Sequence, residues 1–463
     1  MIVDWSATSL SAAIRDKQVS CVEVMTAYLD RIERLNPSVN ALVALRPRAS
    51  LIADAAAADR AERQGWMHGF PFAVKDLADA AGLPTSAGFF RDPPPATADS
   101  LHVERIRAAG AIIIGKTNVP EFGLGSHTYN NVFGTTLNAY DQTRTAGGSS
   151  GGAAVAVALR MLPVADGSDF MGSLRNPPGW NNVLGLRPSV GRVPSLADEV
   201  FVAQSGVEGP IARTSADLAL LLQTMSGYDP RAPLSLPADP ALTDLQEING
   251  RKVAWLGDLG GYLPMEPEVL RVTGAALQSF ADLGITVTTL DGVPGFDSAD
   301  LWPAWLTLRH WLTGSFDDPS LLPKLKPEIV YEVNGAAGLS GSDVLAASIR
   351  RSALYQAFRK LFETYDYAVL PTAQVMPFDA TLHWPARIGD VEMTSYHRWM
   401  EVSTLATLIN APALAMPAGF SHDGLPIGLQ VIGRNHDDRS LLSLAAAWER
   451  QTDWVRRVPP PLV

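Results

Sequence analysis

Cysteine is almost missing. Cys21 is the only one in 463 residues, so no internal disulfide and no cysteine-built zinc site can form. The 8 histidines are scattered, and none forms an HExxH pair. Local motifs therefore predict no metal and no cofactor. No stretch reaches the roughly 18 consecutive apolar residues of a membrane span. The longest small-apolar run, Ala153 to Leu159, stops at Arg160. The opening MIVDWSATSL lacks the basic start and apolar stretch of a secretory signal. A cytoplasmic protein without a membrane partner is expected. Basic excess is absent as well: 37 Lys and Arg stand against 48 Asp and Glu, for a net charge of −11. That balance argues against a nucleic-acid partner. No internal repeat and no low-complexity tract occurs.

What is present is an ordinary folded chain, 47% hydrophobic and 18% charged. Its length would suit about two or three average domains or one large one. No linker composition marks a boundary, so a single domain over 1–463 is expected.

Ser20 and Glu23 form a candidate capping box. Met25, Tyr28, Leu29, Ile32 and Leu35 follow at helical spacing, and Pro37 is expected to end that helix. The Ala-rich stretch 51–64 predicts a second helix. Phe72-Ala73-Val74 reads as a short buried strand delivering Lys75 and Asp76 at its end. A helix over 101–109 closed by Gly110, then the strand AIIIG at 111–115, is α/β alternation. Further helices are expected at 152–160, 214–226, 267–283 and 438–450. Further strands are expected in LPVADGSD, at 252–256 and 285–290, near 365–372, and within 412–433. The stretch 291–400 differs. It carries Trp302, Trp305, Trp311, Trp384 and Trp399 among many prolines. It reads as a helical or irregular lateral part, its tryptophans divided between core and substrate wall.

The run AGGSSGGAAVAVAL, 146–159, admits three readings. A phosphate loop would need a Lys followed by Ser or Thr, which is missing. Gly147 to Gly151 matches the GxSxG elbow of an α/β-hydrolase, but LNAYDQTRTA before it is polar and turn-like, not a strand. A surface loop with Ser150 capping the next helix is the third. It leaves unexplained the second glycine–serine segment, GSDFMGSLRNP at 167–177.

Together these two segments resemble the signature of the amidase signature family, which runs from GGSSGG to G-[ST]-D-x-x-G-S-[IL]-R. The likeness extends to GFPFAVKDLADAAGLPTSAGF (69–89), GKTNVPEFGLGS (115–126), FGTTLNAYD (133–141), GRVPS (191–195), GPIARTSADLALLL (209–222) and GLPIGLQVIGRNHDDRSLL (424–442). It is weakest over about 230–400. The resemblance implies an α/β fold with a large mixed central sheet flanked by helices on both faces. It implies a Ser–Ser–Lys triad: Lys75 as base, Ser149 (following a cis peptide bond) as relay, and Ser173 as nucleophile, 173 − 149 = 24 positions on. The backbone N–H groups of Phe170, Met171, Gly172 and Ser173 would form the oxyanion hole. Ser150, Asp169 and Arg175 would support the loop, Asp169 and Arg175 as a pair and Ser150 as a helix cap or loop hydrogen-bond donor.

The implied activity is hydrolysis of a small-molecule amide, with esters and carbamates open to the same chemistry. A homodimer is left open. Family members often carry glycine where Met171 stands, so Phe170 and Met171 point to an apolar or aryl substrate. The competing reading is the glutamine amidase component of a multi-chain tRNA-dependent amidotransferase, which requires partner chains and a polar pocket.

Overall fold

The computed structural model describes residues 1–196, 199–202, 204–314 and 320–463. In chain order its strands are β1 (Leu42–Val43), β2 (Pro71–Lys75), β3 (Ile112–Thr117), β4 (Tyr129–Asn130), β5 (Gly134–Thr135), β6 (Val164–Asp169), β7 (Leu184–Arg187), β8 (Val207–Ala212), β9 (Lys252–Trp255), β10 (Thr286–Thr289), β11 (Tyr367–Pro371), β12 (Arg387–Ile388), β13 (Val391–Glu392), β14 (Ala413–Phe420) and β15 (Pro426–Ile432). Eight of them build one mixed sheet in the order β10-β9-β11-β15-β14-β7-β8-β6. β9 pairs in parallel with β10 and β11, and the remaining neighbours are antiparallel. Three strands form a smaller sheet in the order β1-β3-β2. Its edge strand β2 packs beside β6, the edge strand of the large sheet. This seam places the end of β2 against the end of β6.

Four strands are buried along their whole length: β2, β7, β11 and β15 expose no residue. They read as near-continuous apolar runs because helices cover the sheet. One apolar cluster runs from Val3 to Trp448. A second, small cluster of Leu124, Leu325 and Ile329 lies apart from it. Among the described residues no helix is long and apolar enough to cross a membrane.

Local signals placed most elements correctly and two boundaries wrongly. The Ser20–Glu23 capping box is formed, and it starts the helix Cys21–Val39. Pro37 does not end that helix but lies within its last turn. There its missing N–H costs one bond only, and the chain stops at Asn40 in the left-handed region. The second helix runs over Arg48–Arg60 rather than 51–64. Residues 61–64 are all exposed, so helix propensity there has no buried face to support it.

Between 291 and 400 the chain forms helices Leu301–Thr313, Pro327–Ala336 and Gly341–Thr364; residues 315–319 of this stretch lie outside the described residues. Its tryptophans divide. Trp305 and Trp399 are buried, Trp302 and Trp384 are half-buried, and Trp311 is exposed.

Candidate active site

β2 ends at Lys75, and its side chain crosses the seam towards β6. Lys75 is 1% exposed. Its Nζ lies 2.9 Å from Ser149 Oγ, 2.8 Å from Ser150 Oγ, 2.9 Å from Ser168 Oγ and 3.2 Å from the Ser168 carbonyl. Ser149 Oγ lies 3.0 Å from Ser173 Oγ, and the Ser149 N–H donates to that same oxygen at 2.8 Å. Lys75, Ser149 and Ser173 therefore form one hydrogen-bonded line. Ser173, at 7% exposure, is the most accessible of the three.

Burial lowers the Lys75 pKa from its ordinary 10.5 to about 8, against the opposing fields of Glu208, Asp166 and Asp169. Removing an ammonium from water disfavours its charged form. A lysine so placed is a usable base near neutral pH.

The glycine run is a packing device. The Gly148–Ser149 bond is cis. A Cβ on Gly148 would lie 2.8 Å from the His127 backbone nitrogen, and one on Gly152 would lie 2.4 Å from the Asn118 nitrogen and 2.5 Å from the Ala41 carbonyl oxygen. Only glycine lets these backbones meet. Ser150 stands at the N-cap of the helix Gly151–Ala158, but its side chain makes no capping bond. Its hydroxyl instead accepts from Lys75 and donates to the Ser168 carbonyl at 3.2 Å. The capping alternative gives way to the loop-donor one because the ammonium offers a stronger, charged partner.

The loop after β6 is held by a buried ion pair. Arg175 grips Asp169 with two bonds, Nε to Oδ2 at 2.9 Å and Nη2 to Oδ1 at 2.8 Å. Burial opposes the Asp169 charge, but Arg175 and Arg187 outweigh it and hold this carboxyl far below the usual range. Arg175 also donates to the Ser403 carbonyl and to Gln430 Oε1, both at 2.7 Å.

Asp169 further accepts from the N–H groups of Gly172 (2.9 Å) and Leu174 (3.0 Å). The Gly172 N–H, expected among the oxyanion-hole donors, is thus engaged by a carboxylate in this structure. The Asp169 side chain folds back over its own loop, which residue order does not reveal. The N–H groups of Phe170, Met171 and Ser173 have no protein acceptor among the described residues.

Beside them the wall is apolar. The Phe170 ring lies 5.4 Å from Trp305, and Met171 is buried. A Cβ on Gly172 would meet Ser403 Cβ at 2.9 Å and Met400 Cε at 3.1 Å. Arg309 lies 5.3 Å over Phe170, but Glu332 and Tyr396 take its donors at 2.7 and 2.6 Å. It therefore braces the wall through two of its donors, with Glu332 as its ion-pair partner.

The chain resembles known proteins along nearly its whole length. The family model described as Amidase matches residues 23–442. The chain belongs to the amidase family. The amidase is 33% identical over 469 residues to an acylamidase of Rhodococcus erythropolis, covering 98% of this chain and 97% of that one. It is also 33% identical over 497 residues to a glutamyl-tRNA(Gln) amidotransferase component of Chloroflexus aurantiacus, at 98% and 97% coverage. A bacterial aryl acylamidase of the amidase signature family superposes with a TM-score of 0.89 at 28% identity, covering 99% of this chain and 98% of that one. The amidase signature fold, with its large mixed sheet and surrounding helices, is thus established. So is the enzyme class: the amidase is a hydrolase of carbon–nitrogen amide bonds.

Sequence reasoning missed the side chains around Lys75 on the β6 side. Ser168 stands inside the GSD motif, and Asp166 stands two residues before it. Strand alternation puts both on one face of β6, and that face meets Lys75. A buried aspartate in an apolar strand was the available signal.

Proposed function

We propose that this amidase hydrolyses a small apolar or aryl amide through an acyl-enzyme on Ser173, with Lys75 as general base and Ser149 as proton relay. Esters and carbamates are open to the same chemistry. The observation that carries the reading is the buried line from Lys75 Nζ to Ser149 Oγ to Ser173 Oγ, with steps of 2.9 and 3.0 Å. Neutral Lys75 takes the Ser149 proton as Ser149 takes that of Ser173. The freed Ser173 oxygen attacks the carbonyl carbon, and the Ser149 N–H supports the charge gathering on it. The carbonyl oxygen becomes an oxyanion facing the unpaired N–H groups of Phe170, Met171 and Ser173. One such donor is worth about 10²–10³ in rate. On collapse the C–N bond breaks. The proton returns from Lys75 through Ser149 to the leaving nitrogen, and the amine departs. Water then attacks the ester by the same route, releasing the acid and restoring Ser173.

Phe170, Met171 and Trp305 favour an apolar acyl group, in keeping with the acylamidase relatives. The glutamine amidase reading rests on the amidotransferase relatives. It requires a polar, glutamine-sized pocket, and the apolar pair Phe170 and Met171 speaks against it. Within the proposal, residues 1–463 act as one catalytic domain in the cytoplasm, with 291–400 as its substrate-side region.

The test is amine release from anilides, aliphatic amides, a carbamate and glutamine, for wild type, Ser173→Ala and Lys75→Ala. Anilide turnover lost in both variants supports the reading. Turnover surviving Ser173→Ala refutes the nucleophile, and turnover of glutamine alone transfers support to the amidotransferase reading.

A further inference from the structure

Behind Lys75 lies a second buried polar group that the triad does not use. β2 is the edge strand of its sheet, so the Lys75 N–H has no strand on its outer side. Asp166 of β6 fills that place. Its Oδ1 accepts from the Lys75 N–H at 3.1 Å, and its Oδ2 lies 3.3 Å from the same nitrogen. Asp166 is fully buried and is itself held by His102 Nε2 at 3.2 Å, from the helix Leu101–Ala108. In the antiparallel register β6 places Asp166 opposite Pro210 and Ser168 opposite Glu208. Cross-strand partners share a face, so Asp166, Ser168 and Glu208 all lie on the side that meets Lys75. The charged groups facing Asp166 are Lys75 on β2, Lys116 on β3, Glu208 on β8 and His102.

We infer that Asp166, anchored by His102, is a positioning residue that fixes the Lys75 main chain across the seam and sets the field at its ammonium. The inference rests on Lys75 being the base. The geometry has two separable parts. A single hydrogen bond pins the backbone from which the lysine side chain starts, and so controls whether Nζ meets both Ser149 and Ser150. The Asp166 charge, beside those of Glu208 and Asp169, favours protonated Lys75 and so helps set the pH at which it becomes a base. Burial disfavours the His102 charge, but its bond to Asp166 and the field of Glu208 outweigh this and raise its pKa. His102 therefore partly compensates the carboxylate.

Substitutions at Asp166 and His102 separate the two parts. Asp166→Asn keeps an acceptor for the Lys75 N–H and removes the charge. Its acid limb of kcat is expected to move to lower pH by about one unit, with a plateau near that of wild type. Asp166→Ala removes both, and its plateau kcat is expected to fall more than about tenfold with KM little changed. His102→Gln leaves the carboxylate uncompensated, and its acid limb is expected to move upward. A residue with a purely structural role would lower the melting temperature without moving either limb. Wild-type limbs in both Asp166→Asn and His102→Gln, alongside an inactive Lys75→Ala, would overturn the inference and leave the base assignment standing. An active Lys75→Ala would instead remove the base assignment and the inference with it. If Asp166→Ala fails to fold, the isosteric Asp166→Asn decides alone.

Discussion

The pH dependence of turnover is the most direct check on the chemistry, because one buried group should govern it. The perturbation is pH itself. With the Lys75 pKa at about 8, about one tenth of the lysine is neutral at pH 7 and about nine tenths at pH 9. If neutral Lys75 is the base, kcat/KM should climb about tenfold over that interval along a single-proton limb centred near 8. An ordinary lysine at 10.5 would leave about 300 times less base at pH 7, since 10.5 − 8 = 2.5. Initial rates on a slow anilide well below KM, followed by release of the arylamine, read this quantity. A kcat/KM that stays flat from pH 7 to 9, or a limb centred near 6, would refute the reasoning.

The same shift makes a stability statement of definite sign. The folded pKa lies below the unfolded one, so folding disfavours protonated Lys75. Below pH 8 the group therefore destabilises the fold, by up to about 3 kcal/mol. Between 8 and 10.5 the unfolded chain binds the extra proton, and stability rises with pH. Urea unfolding of wild type and Lys75→Met should then show wild type gaining on the variant across that window. A constant difference would contradict the depressed pKa.

Three further outcomes follow from the geometry. Arg175→Met strips the buried Asp169 of its bidentate partner, and breaking such a pair costs about 3–5 kcal/mol. Arg187, 3.4 Å from the same carboxylate, should hold the loss towards the lower figure, read as a shift in denaturant midpoint. Gly152→Ala drives a Cβ into the backbone of Asn118 and Ala41, so a loss of about 1–3 kcal/mol or more is expected in thermal melts. Met171→Gly empties the wall beside Ser173 and should shift preference towards bulkier acyl groups across a chain-length series; an unchanged preference would remove Met171 from the acyl pocket.

The sequence carried the fold well where a local signal coincided with a buried face. The capping box at Ser20, the apolar strand before Lys75 and the alternation after it all became the elements expected. Boundaries slipped where propensity acted without burial, as at residues 61–64, or where a proline fell late enough to be tolerated, as at Pro37. For the site, the resemblance to the amidase signature family nominated Lys75, Ser149 and Ser173, and the fold brings them into hydrogen-bonding contact. Their surroundings were not legible. That the Gly172 N–H is taken by Asp169 depends on one side chain folding back over its loop. That Asp166 reaches the Lys75 N–H depends on two sheets meeting edge to edge, 91 positions apart in sequence.

A buried lysine alone would make a poor relay base. Full desolvation would push its pKa down until the amine was too weak a base to draw the proton from a serine hydroxyl. Three carboxylates nearby act the other way: Glu208, Asp166 and Asp169 each favour the protonated form. The two influences oppose each other and leave Lys75 near 8, where it can take a proton in one step and give it back in the next. In the proposed mechanism the carboxylates stay off the proton path: among the described residues the Lys75 ammonium donates to serine oxygens and the Ser168 carbonyl. Asp169 is neutralised by Arg175 and Arg187, and Asp166 is turned towards a backbone N–H and His102. In the proposed mechanism the serines carry the proton while the carboxylates behind them set its affinity. On that reading the relay uses hydroxyl groups because they can donate and accept in either direction, and the charges stand one layer back.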